Sequence, residues 1–321
     1  MLFLFDLRRV FPPRLAAFLC AGLLAFSLVG CATRAAPGAS VRLDDTPRIA
    51  VMSAFEPELT LLLAQLQSPV RHRINGINFT TGTLQGKPAV LFLSGISMVN
   101  ASMNTQLALD RFNIHSIVFS GIAGGVDPSL HIGDVSVPAR WGQYLEVLMA
   151  RETAPGKFTI PPRMEAQTLA PFGMLHPRLV ETRNAASPAP VRKFWFEVDP
   201  RMLAVARGLG PIALESCNAG TCLTHKPQLL VGGNGVSGQA FVDNAAFREY
   251  TFKTFEANVL DMETAAVGMV AYSNGVPYIA FRSLSDLAGG GEGANEMVTF
   301  MNIAADNSAK VLLAFLAAWK P

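Results

Sequence analysis

Acidic side chains stand beside apolar runs at several points of the sequence. They are Glu58, Asp261, Glu263 and Asp286. A carboxyl group near an apolar wall has a raised pKa and can donate a proton, whereas a second carboxylate can activate water. Taken singly, Asp261 and Asp286 are better explained as a helix cap or a loop-binding group. Taken together, the acids fit cleavage of a glycosidic bond, which needs both an acid and a base.

A glycine-rich segment, Ser120-Gly-Ile-Ala-Gly-Gly125, follows another apolar run. Glycines such as Gly124 tolerate positive φ and let the backbone approach a ligand closely. The segment could therefore contact a phosphate, a ribose or a carboxylate. It is not Gly-x-Gly-x-x-Gly, and no Lys-Ser or Lys-Thr follows it, so the dinucleotide-binding and P-loop interpretations both fail.

Four further side chains allow a functional and a structural interpretation. Arg282 could fix a carboxylate through a bidentate pair, or it could form a purely structural salt bridge. Phe241 could stack on a flat base, or it could pack in the core. Met262 and Phe300 allow the same two interpretations, and residue type alone favours core packing for both.

The elements that must position these residues alternate between strands and helices, which predicts an α/β fold. The apolar patterns predict strands at 47–53, 79–84, 89–93, 116–120 and 277–282, with a turn and then a strand within 132–138. Helical spacing predicts helices at 56–67, 100–112 and 302–319. In such folds ligands bind beyond the carboxyl ends of the strands, where the acids and the glycine segment would lie.

The N-terminus has the pattern of an export signal. Arg8, Arg9 and Arg14 precede an apolar run over 15–29, which ends in Leu-Val-Gly-Cys31. This pattern resembles a bacterial lipoprotein signal, in which the cysteine carries lipid. A plain secretory signal and a membrane anchor are the alternatives, although the run is short for a span.

We therefore expect a signal peptide at 1–30, lipid on Cys31, and a flexible Ala/Pro/Ser/Gly-rich tether at 31–47. A folded domain at 48–321 would follow, with a Pro-rich insertion around 142–225. Since no aspartate follows Cys31, the resemblance implies attachment to the outer membrane, facing the periplasm. The net charge of +2 gives no electrostatic bias toward nucleic acid, so we expect no such partner.

Two cysteines, Cys217 and Cys222, remain outside the leader and the lipidation site. In an oxidising compartment an even pair at short spacing indicates a disulfide. Two free thiols or half of a metal site are the alternatives. His225 is the only histidine close to the pair in sequence, so we expect no metal here, and nothing in the sequence predicts a cofactor.

Several segments, taken in order, resemble the nucleoside phosphorylase superfamily, particularly its 5′-methylthioadenosine/S-adenosylhomocysteine nucleosidase branch. The resemblance covers about 48–140 and 228–318. It is carried by Ile-Ala-Val-Met-Ser-Ala-Phe-Glu-Pro-Glu-Leu, Ser-Gly-Ile-Ala-Gly-Gly-Val, His-Ile-Gly-Asp-Val, Val-Ser-Gly-Gln-Ala-Phe-Val, Asp-Met-Glu-Thr-Ala-Ala and Ser-Asp-Leu-Ala. It implies a single domain with a twisted mixed central sheet flanked by helices, usually assembled as a homodimer or larger.

The resemblance also implies roles for the acids. Asp286 would protonate N7 of a purine, Glu58 would activate the attacking water, and Glu263 would bind the ribose hydroxyls. Arg282 would position Asp286. The pocket would be formed by the side chains of Phe55, Ile122, Phe241, Met262 and Phe300, together with the backbone of Gly124 and Val242.

Ile122 stands where the nucleosidase branch tends to have a serine, and Asp261 stands where it often has a glutamate. With the insertion and the cysteine pair, these features look closer to the branch of plant bark and vegetative storage proteins. We therefore predict hydrolysis of a purine ribonucleoside or thionucleoside. The alternatives are a phosphorylase and a non-catalytic, nucleoside-binding envelope lipoprotein.

Overall fold

A large mixed β-sheet forms the centre of the protein. The computed structural model describes residues 42–162, 164 and 169–321. The predicted signal peptide, Cys31 and most of the predicted tether lie outside these residues. The predicted fold class, a mixed central sheet flanked by helices, is confirmed.

The strands in the described part of the chain are β1 (Asp44–Ser53), β2 (Gln67–Ile74), β3 (Ile77–Leu84), β4 (Lys87–Leu93), β5 (Phe112–Gly125), β6 (Val135–Val137), β7 (Arg140–Gln143), β8 (Val147–Met149), β9 (Arg151–Ala154), β10 (Lys157–Thr159), β11 (Leu175–Pro177), β12 (Val180–Asn184), β13 (Ser187–Lys193), β14 (Trp195–Glu197), β15 (Cys217–Asn218), β16 (Thr221–Cys222), β17 (Leu229–Val231), β18 (Asn234–Ser237), β19 (Ala257–Asp261) and β20 (Tyr278–Asp286). The helices there are α1 (Glu56–Ala64), α2 (Met98–Arg111), α3 (Pro200–Arg207), α4 (Ala245–Phe255), α5 (Thr264–Asn274) and α6 (Met297–Ala318).

The order of the central sheet is β14-β7-β18-β19-β5-β1-β4-β3-β2, and β20 and β6 continue from β5 toward β17. The pairs β1–β4, β1–β5, β5–β20 and β18–β19 are parallel, whereas β2–β3, β3–β4 and β5–β19 are antiparallel. Helix α6 packs on β20 and β5, and α2 packs on α5. The parallel strands β1, β5 and β20 therefore point their carboxyl ends in the same direction.

Strand β5 is far longer than the predicted segment 116–120, because it pairs with three strands in turn. It runs parallel to β1 and β20, and then Gly124 and Gly125 pair antiparallel with β19. A Cβ on Gly125 would lie 2.3 Å from Cδ2 of Leu284, so the close approach of β5 and β20 requires glycine there. The glycine segment thus continues a strand instead of forming a loop.

The predicted end of the tether at residue 47 was too late, because β1 already begins at Asp44. The β1–β5 pairing is irregular between Asp44 and Arg48, and Pro47 lies within that irregularity. Proline lacks a backbone N–H, so it is tolerated where the ladder is interrupted. Because the first residues of β1 are polar and include a proline, the apolar pattern did not reveal where the strand begins.

The predicted insertion at 142–225 consists mainly of short hairpins. These pair β8 with β11, β9 with β10, β12 with β13, and β15 with β16. Strand β7, at the start of the insertion, pairs with β14, which lies within it, and the two form one edge of the central sheet. The predicted disulfide is confirmed, because Cys217 and Cys222 are bonded across the smallest hairpin. Within the described residues, no helix is long and apolar enough to cross a membrane.

Candidate active site

A cavity of about 380 Å³ opens where β1, β5, β19 and β20 end. Its walls include most of the residues that the sequence predicted for the site. These are Phe55, Glu58, Ile122, Gly124, Phe241, Val242, Met262, Glu263 and Asp286. The strand ends therefore bring together side chains that are more than 200 positions apart in the sequence, as expected for an open α/β sheet.

Glu58 lies in the first turn of α1, with its side chain almost completely buried. Its Oε2 accepts hydrogen bonds from the backbone N–H groups of Ala54 (2.6 Å) and Phe55 (3.4 Å). Its Oε1 accepts one from the N–H of Ile122, at 2.7 Å. Burial raises the pKa of Glu58, while Arg282 and these three N–H groups oppose the rise. The carboxylate is thus fixed between the ends of β1 and β5.

Glu263 is held at the start of α5, where its Oε1 accepts a hydrogen bond from the N–H of Ser97 at 2.8 Å. Burial raises the pKa of Glu263 to about 7, and the nearby charge of Asp261 adds to the rise. This carboxyl group therefore changes its charge close to neutral pH.

Asp261 accepts backbone hydrogen bonds from Glu263 and Thr264, both at 3.2 Å, as well as the hydroxyl protons of Ser237 and Thr264. Its carboxylate thus satisfies N–H groups in the first turn of α5, which matches the helix-capping alternative considered from the sequence. Asp261 also borders the cavity, but its oxygens are occupied by these local donors and by Arg282.

Arg282 has no exposed surface and lies behind the cavity wall. Its Nε is 2.8 Å from Oδ2 of Asp261, its Nη2 is 3.7 Å from Oε2 of Glu263, and its Nη1 is 3.9 Å from Oε1 of Glu58. One cation is therefore the shared counter-charge of three buried carboxyl groups.

We expected Arg282 to position Asp286, but the structure shows Arg282 in contact with other groups. Among the described residues, the hydrogen bonds and ion pairs of Arg282 go to other groups, because its side chain leaves β20 toward α5 and α1. Asp286 is held instead by the Ser285 hydroxyl (2.8 Å), the Ala288 N–H (2.8 Å) and, more loosely, Asn295 Nδ2 (3.4 Å). Neither Arg282 nor Phe300 lines the cavity.

Asp286 ends β20 and is only 3% exposed, although it borders the cavity. Burial raises the pKa of its carboxyl group, and the three hydrogen bonds oppose that rise. An acid in this environment retains its proton to higher pH than an exposed aspartate, as a general acid must.

The rest of the cavity wall is apolar. Met297 and Met301 face the cavity from α6, and Ile96 faces it from the segment before α2. The predicted Phe300 is not among the residues that line the cavity, although it lies in the same first turns of α6. Sequence reasoning missed both methionines because it started this helix at residue 302, whereas α6 begins at Met297.

Phe241 is 55% exposed at the cavity mouth. It therefore does not pack in the core, which was the alternative to stacking on a base. Val242, next to it, is buried at 7%. An aromatic face left open to solvent beside a cavity is available to stack on a flat ligand.

Comparison with known proteins agrees with this architecture. Residues 48–317 match the Phosphorylase superfamily. A 5′-methylthioadenosine/S-adenosylhomocysteine nucleosidase of Lysinibacillus sphaericus is 30% identical over 271 residues, which cover 84% of this chain and 99% of that protein. Bark storage protein A of Populus deltoides is 30% identical over 226 residues, covering 67% and 70% of the two chains.

Among solved structures, the S. pneumoniae 5′-methylthioadenosine/S-adenosylhomocysteine nucleosidase with a transition-state inhibitor superimposes with a TM-score of 0.61 at 25% identity. The match covers 84% of this chain and 99% of the other. The fold and the cavity define an α/β protein with a buried acidic site for a small molecule. The chain belongs to the Phosphorylase superfamily, which confirms the resemblance deduced from the sequence motifs.

Proposed function

We propose that the protein hydrolyses the N-glycosidic bond of a purine ribonucleoside or thionucleoside. The observation that carries the proposal is that Glu58 and Asp286, fixed at the ends of different elements, border one largely apolar cavity. Cleavage of a glycosidic bond needs an acid for the leaving group and a base for water. Similarity to the nucleosidases of L. sphaericus and S. pneumoniae supports the same reaction.

In this mechanism Asp286 donates its proton to N7 of the purine. The bond between the base and C1′ of ribose then breaks, and the electron pair stays with the base. Burial raises the pKa of Asp286, so its proton is retained to higher pH than on an exposed aspartate, and the bonds from Ser285 and Ala288 hold the carboxyl group in place. Protonation makes the purine a better leaving group.

Glu58 accepts a proton from the water that attacks C1′, so that a new C–O bond replaces the broken C–N bond. Burial raises the pKa of Glu58, which strengthens it as a base, while the N–H groups of Ala54 and Ile122 and the charge of Arg282 oppose that rise. Glu263 binds the ribose hydroxyls and stabilises the developing positive charge on the sugar. Phe241 stacks on the base, and Met262 packs against the sugar.

Water is favoured over phosphate as the nucleophile because of charge. A phosphorylase must hold a phosphate dianion, usually with several arginines. Here the side of the cavity formed by the β1 and β5 ends presents Glu58, and the buried guanidinium of Arg282 is already shared among three carboxylates. A dianion placed there would be repelled.

The direct test is incubation of the purified protein with a panel of purine nucleosides, methylthioadenosine included, with and without phosphate. We expect release of the free base and the free sugar without phosphate, the sugar being ribose or, from methylthioadenosine, methylthioribose. Release only with phosphate would assign a phosphorylase and contradict the role of Glu58. Binding measured by calorimetry without any release would assign the nucleoside-binding alternative.

We also propose that the protein is anchored at Cys31 by lipid and faces the periplasm from the outer membrane. The basic flank, the short apolar run and the Leu-Val-Gly-Cys tetrad support this location, and the Cys217–Cys222 disulfide fits an oxidising compartment. Mass spectrometry of the N-terminal peptide tests it. Diacylglycerol on Cys31 is expected, and an unmodified peptide from fractionated membranes would contradict it.

A homodimer is the assembly that we propose. Ile96, Val99 and Met103 are each at least half exposed. Ile96 borders the cavity, and Val99 and Met103 share one face of α2. Apolar side chains grouped in this way usually mark a protein interface. Sedimentation of the protein should give twice the monomer mass, and Val99→Glu with Met103→Glu should give the monomer.

A further inference from the structure

Three potential metal ligands meet close to β20, and none of them lines the cavity. They are His131, Asp134 and His225, whose ligand atoms all lie within 4.8 Å of one another. Nδ1 of His131 is 3.8 Å from Oδ2 of Asp134, and Nε2 of His225 is 3.8 Å from Oδ1 of the same carboxylate. The two imidazole rings are neighbours, with centroids 4.7 Å apart.

The carboxylate of Asp134 is buried and rigidly oriented. Oδ2 accepts a hydrogen bond from the N–H of His131, and Oδ1 accepts one from the N–H of Gln228, each at 2.8 Å. The side chain is 1% exposed. Each oxygen retains a second lone pair, directed away from these N–H groups, so the carboxylate can still act as a metal ligand. Outer hydrogen bonds of this kind commonly orient the ligands of metal sites.

The side chain of His225 also favours a cation site. Its Nε2 is buried and has no hydrogen-bond partner, although it faces the carboxylate of Asp134. A separation of 3.8 Å is too long for a hydrogen bond. A buried ring nitrogen without a partner carries a desolvation cost, and a cation between the nitrogen and the carboxylate would remove that cost.

We propose that His131, Asp134 and His225 bind a divalent transition-metal ion of the Zn²⁺ class, with water completing the coordination. Two imidazoles and one carboxylate suit such ions better than Mg²⁺ or Ca²⁺, which prefer oxygen ligands. Bonds of about 2.1 Å in tetrahedral geometry place ligand atoms about 3.4 Å apart. The 3.8 Å pairs need to contract only slightly, and His131, with a side chain 57% exposed, is free to rotate inward.

The disulfide hairpin positions one of the ligands. Cys222 precedes His225 by three residues, and the N–H of Leu223 donates to the carbonyl oxygen of Ser216 at 2.7 Å. Leu223 also packs against Gly133, where an added Cβ would lie 2.4 Å from its Cδ1. The hairpin therefore places His225 over the loop that carries His131 and Asp134.

The same loop is joined to the strand of the candidate active site. The N–H of Gly133 donates to the Leu284 carbonyl oxygen at 2.7 Å, and the N–H of Leu284 donates to the Asp134 carbonyl oxygen at 2.9 Å. Leu284 precedes Asp286 by two residues in β20. A bound ion would thus brace the loop that supports this strand without contacting the substrate.

Sequence reasoning did not find this group, because the three residues are split between two segments about ninety positions apart. Only His225 lies near the cysteines in the sequence, whereas His131 and Asp134 belong to the loop before β6. The cysteines that suggested half a metal site are instead paired with each other.

Titration of untagged, chelator-treated full-length protein with Co²⁺ tests the proposal, because Co²⁺ bound to nitrogen and oxygen ligands has visible d–d absorption. We expect one equivalent to bind, Zn²⁺ to displace it, and millimolar Mg²⁺ to have no effect. His131→Ala and His225→Ala should each weaken binding by at least about 10- to 100-fold. His115→Ala, which removes a histidine outside the group, should bind Co²⁺ like the wild type.

Circular dichroism and base release from the nucleoside panel show whether each variant is folded. Absence of Co²⁺ and Zn²⁺ binding by the wild-type protein at micromolar concentrations would overturn the proposal. Unchanged binding by the folded double variant His131→Ala/His225→Ala would overturn it too. Loss of the Co²⁺ bands in the two histidine variants, with base release retained, would establish the site independently of the proposed activity.

Discussion

Nε of Arg282 lies 2.8 Å from Oδ2 of Asp261, and this contact ties the middle of β20 to the end of β19. The same guanidinium stacks over the ring of Phe119, with its carbon 4.1 Å from the ring centroid. Because Glu58 and Glu263 also face this cation, its removal would leave three buried acids without a counter-charge. The cluster therefore links the stability of the fold to the placement of the candidate acids.

The approach of Arg282 to β5 requires a residue without a side chain at position 121. A Cβ on Gly121 would lie 1.8 Å from Nη1 of Arg282 and 2.7 Å from Oε1 of Glu58. We expect Gly121→Ala to lower the free energy of unfolding by about 1–3 kcal/mol and to reduce base release, since both charged groups must move. Urea unfolding measures the first effect. Gly210→Ala is the control, because its Cβ would meet nothing within 4 Å, and equal losses in the two variants would contradict the steric argument.

The proposed acid can be tested by removing its proton while keeping its shape. Asp286→Asn should lower kcat by about 10²- to 10⁴-fold, because the amide cannot protonate the leaving purine. The melting temperature should change little, since burial already disfavours the charged form of Asp286. Asp45→Asn, at the exposed start of β1, is the control and should keep full activity. Near-normal turnover by the Asp286 variant would remove Asp286 from the mechanism.

Glu263 should make the stability of the protein depend on pH. Its pKa is raised from 4.5 to about 7 in the folded state, so the folded protein binds its proton more tightly than the unfolded chain does. The contribution of Glu263 to the free energy of unfolding is therefore fully present below pH 4.5 and is lost as the pH rises toward 7 and above. We expect Glu263→Gln to gain stability relative to the wild type between pH 5 and pH 8, by more than about 1 kcal/mol.

Urea unfolding at pH 5, 6, 7 and 8 measures this difference. Glu181→Gln, an exposed acid on β12, serves as the control and should show the same offset from the wild type at every pH. A constant offset for Glu263→Gln as well would mean that the carboxyl group of Glu263 does not titrate abnormally.

The sequence was sufficient for the fold class and for most of the cavity wall, because the motifs that carry the resemblance end the strands β1, β5, β19 and β20. The acids Glu58, Glu263 and Asp286 border the cavity for that reason. The positions at which strands end are encoded locally, by apolar runs that stop at small or polar residues.

The partners of each side chain were harder to predict, because they depend on three-dimensional direction. Arg282 and Asp286 are four apart and were expected to interact, but strand residues four apart are separated by roughly 13 Å. Arg282 instead meets Asp261 and Glu58, which come from other elements. Met297 and Met301, which were not predicted for the site, line the cavity because α6 begins at Met297, whereas the sequence pattern started this helix at residue 302.

Ile122 offers a test of how far this site differs from an efficient nucleosidase. Its backbone N–H holds Oε1 of Glu58 at 2.7 Å, while its side chain lines the cavity. The resemblance places a serine at this position, where a hydroxyl would help to hold the attacking water beside Glu58. Ile122→Ser keeps the backbone contact and adds a donor and acceptor. We therefore expect kcat for base release to rise by about 10-fold, the equivalent of one added hydrogen bond in the transition state.

Ile122→Val is the matched control, because it trims the side chain without adding a hydroxyl and should leave kcat within about twofold. Equal increases of kcat in both variants would show that space, and not the hydroxyl group, limits turnover. A decrease of kcat in the serine variant would show that an apolar wall at this position assists the reaction.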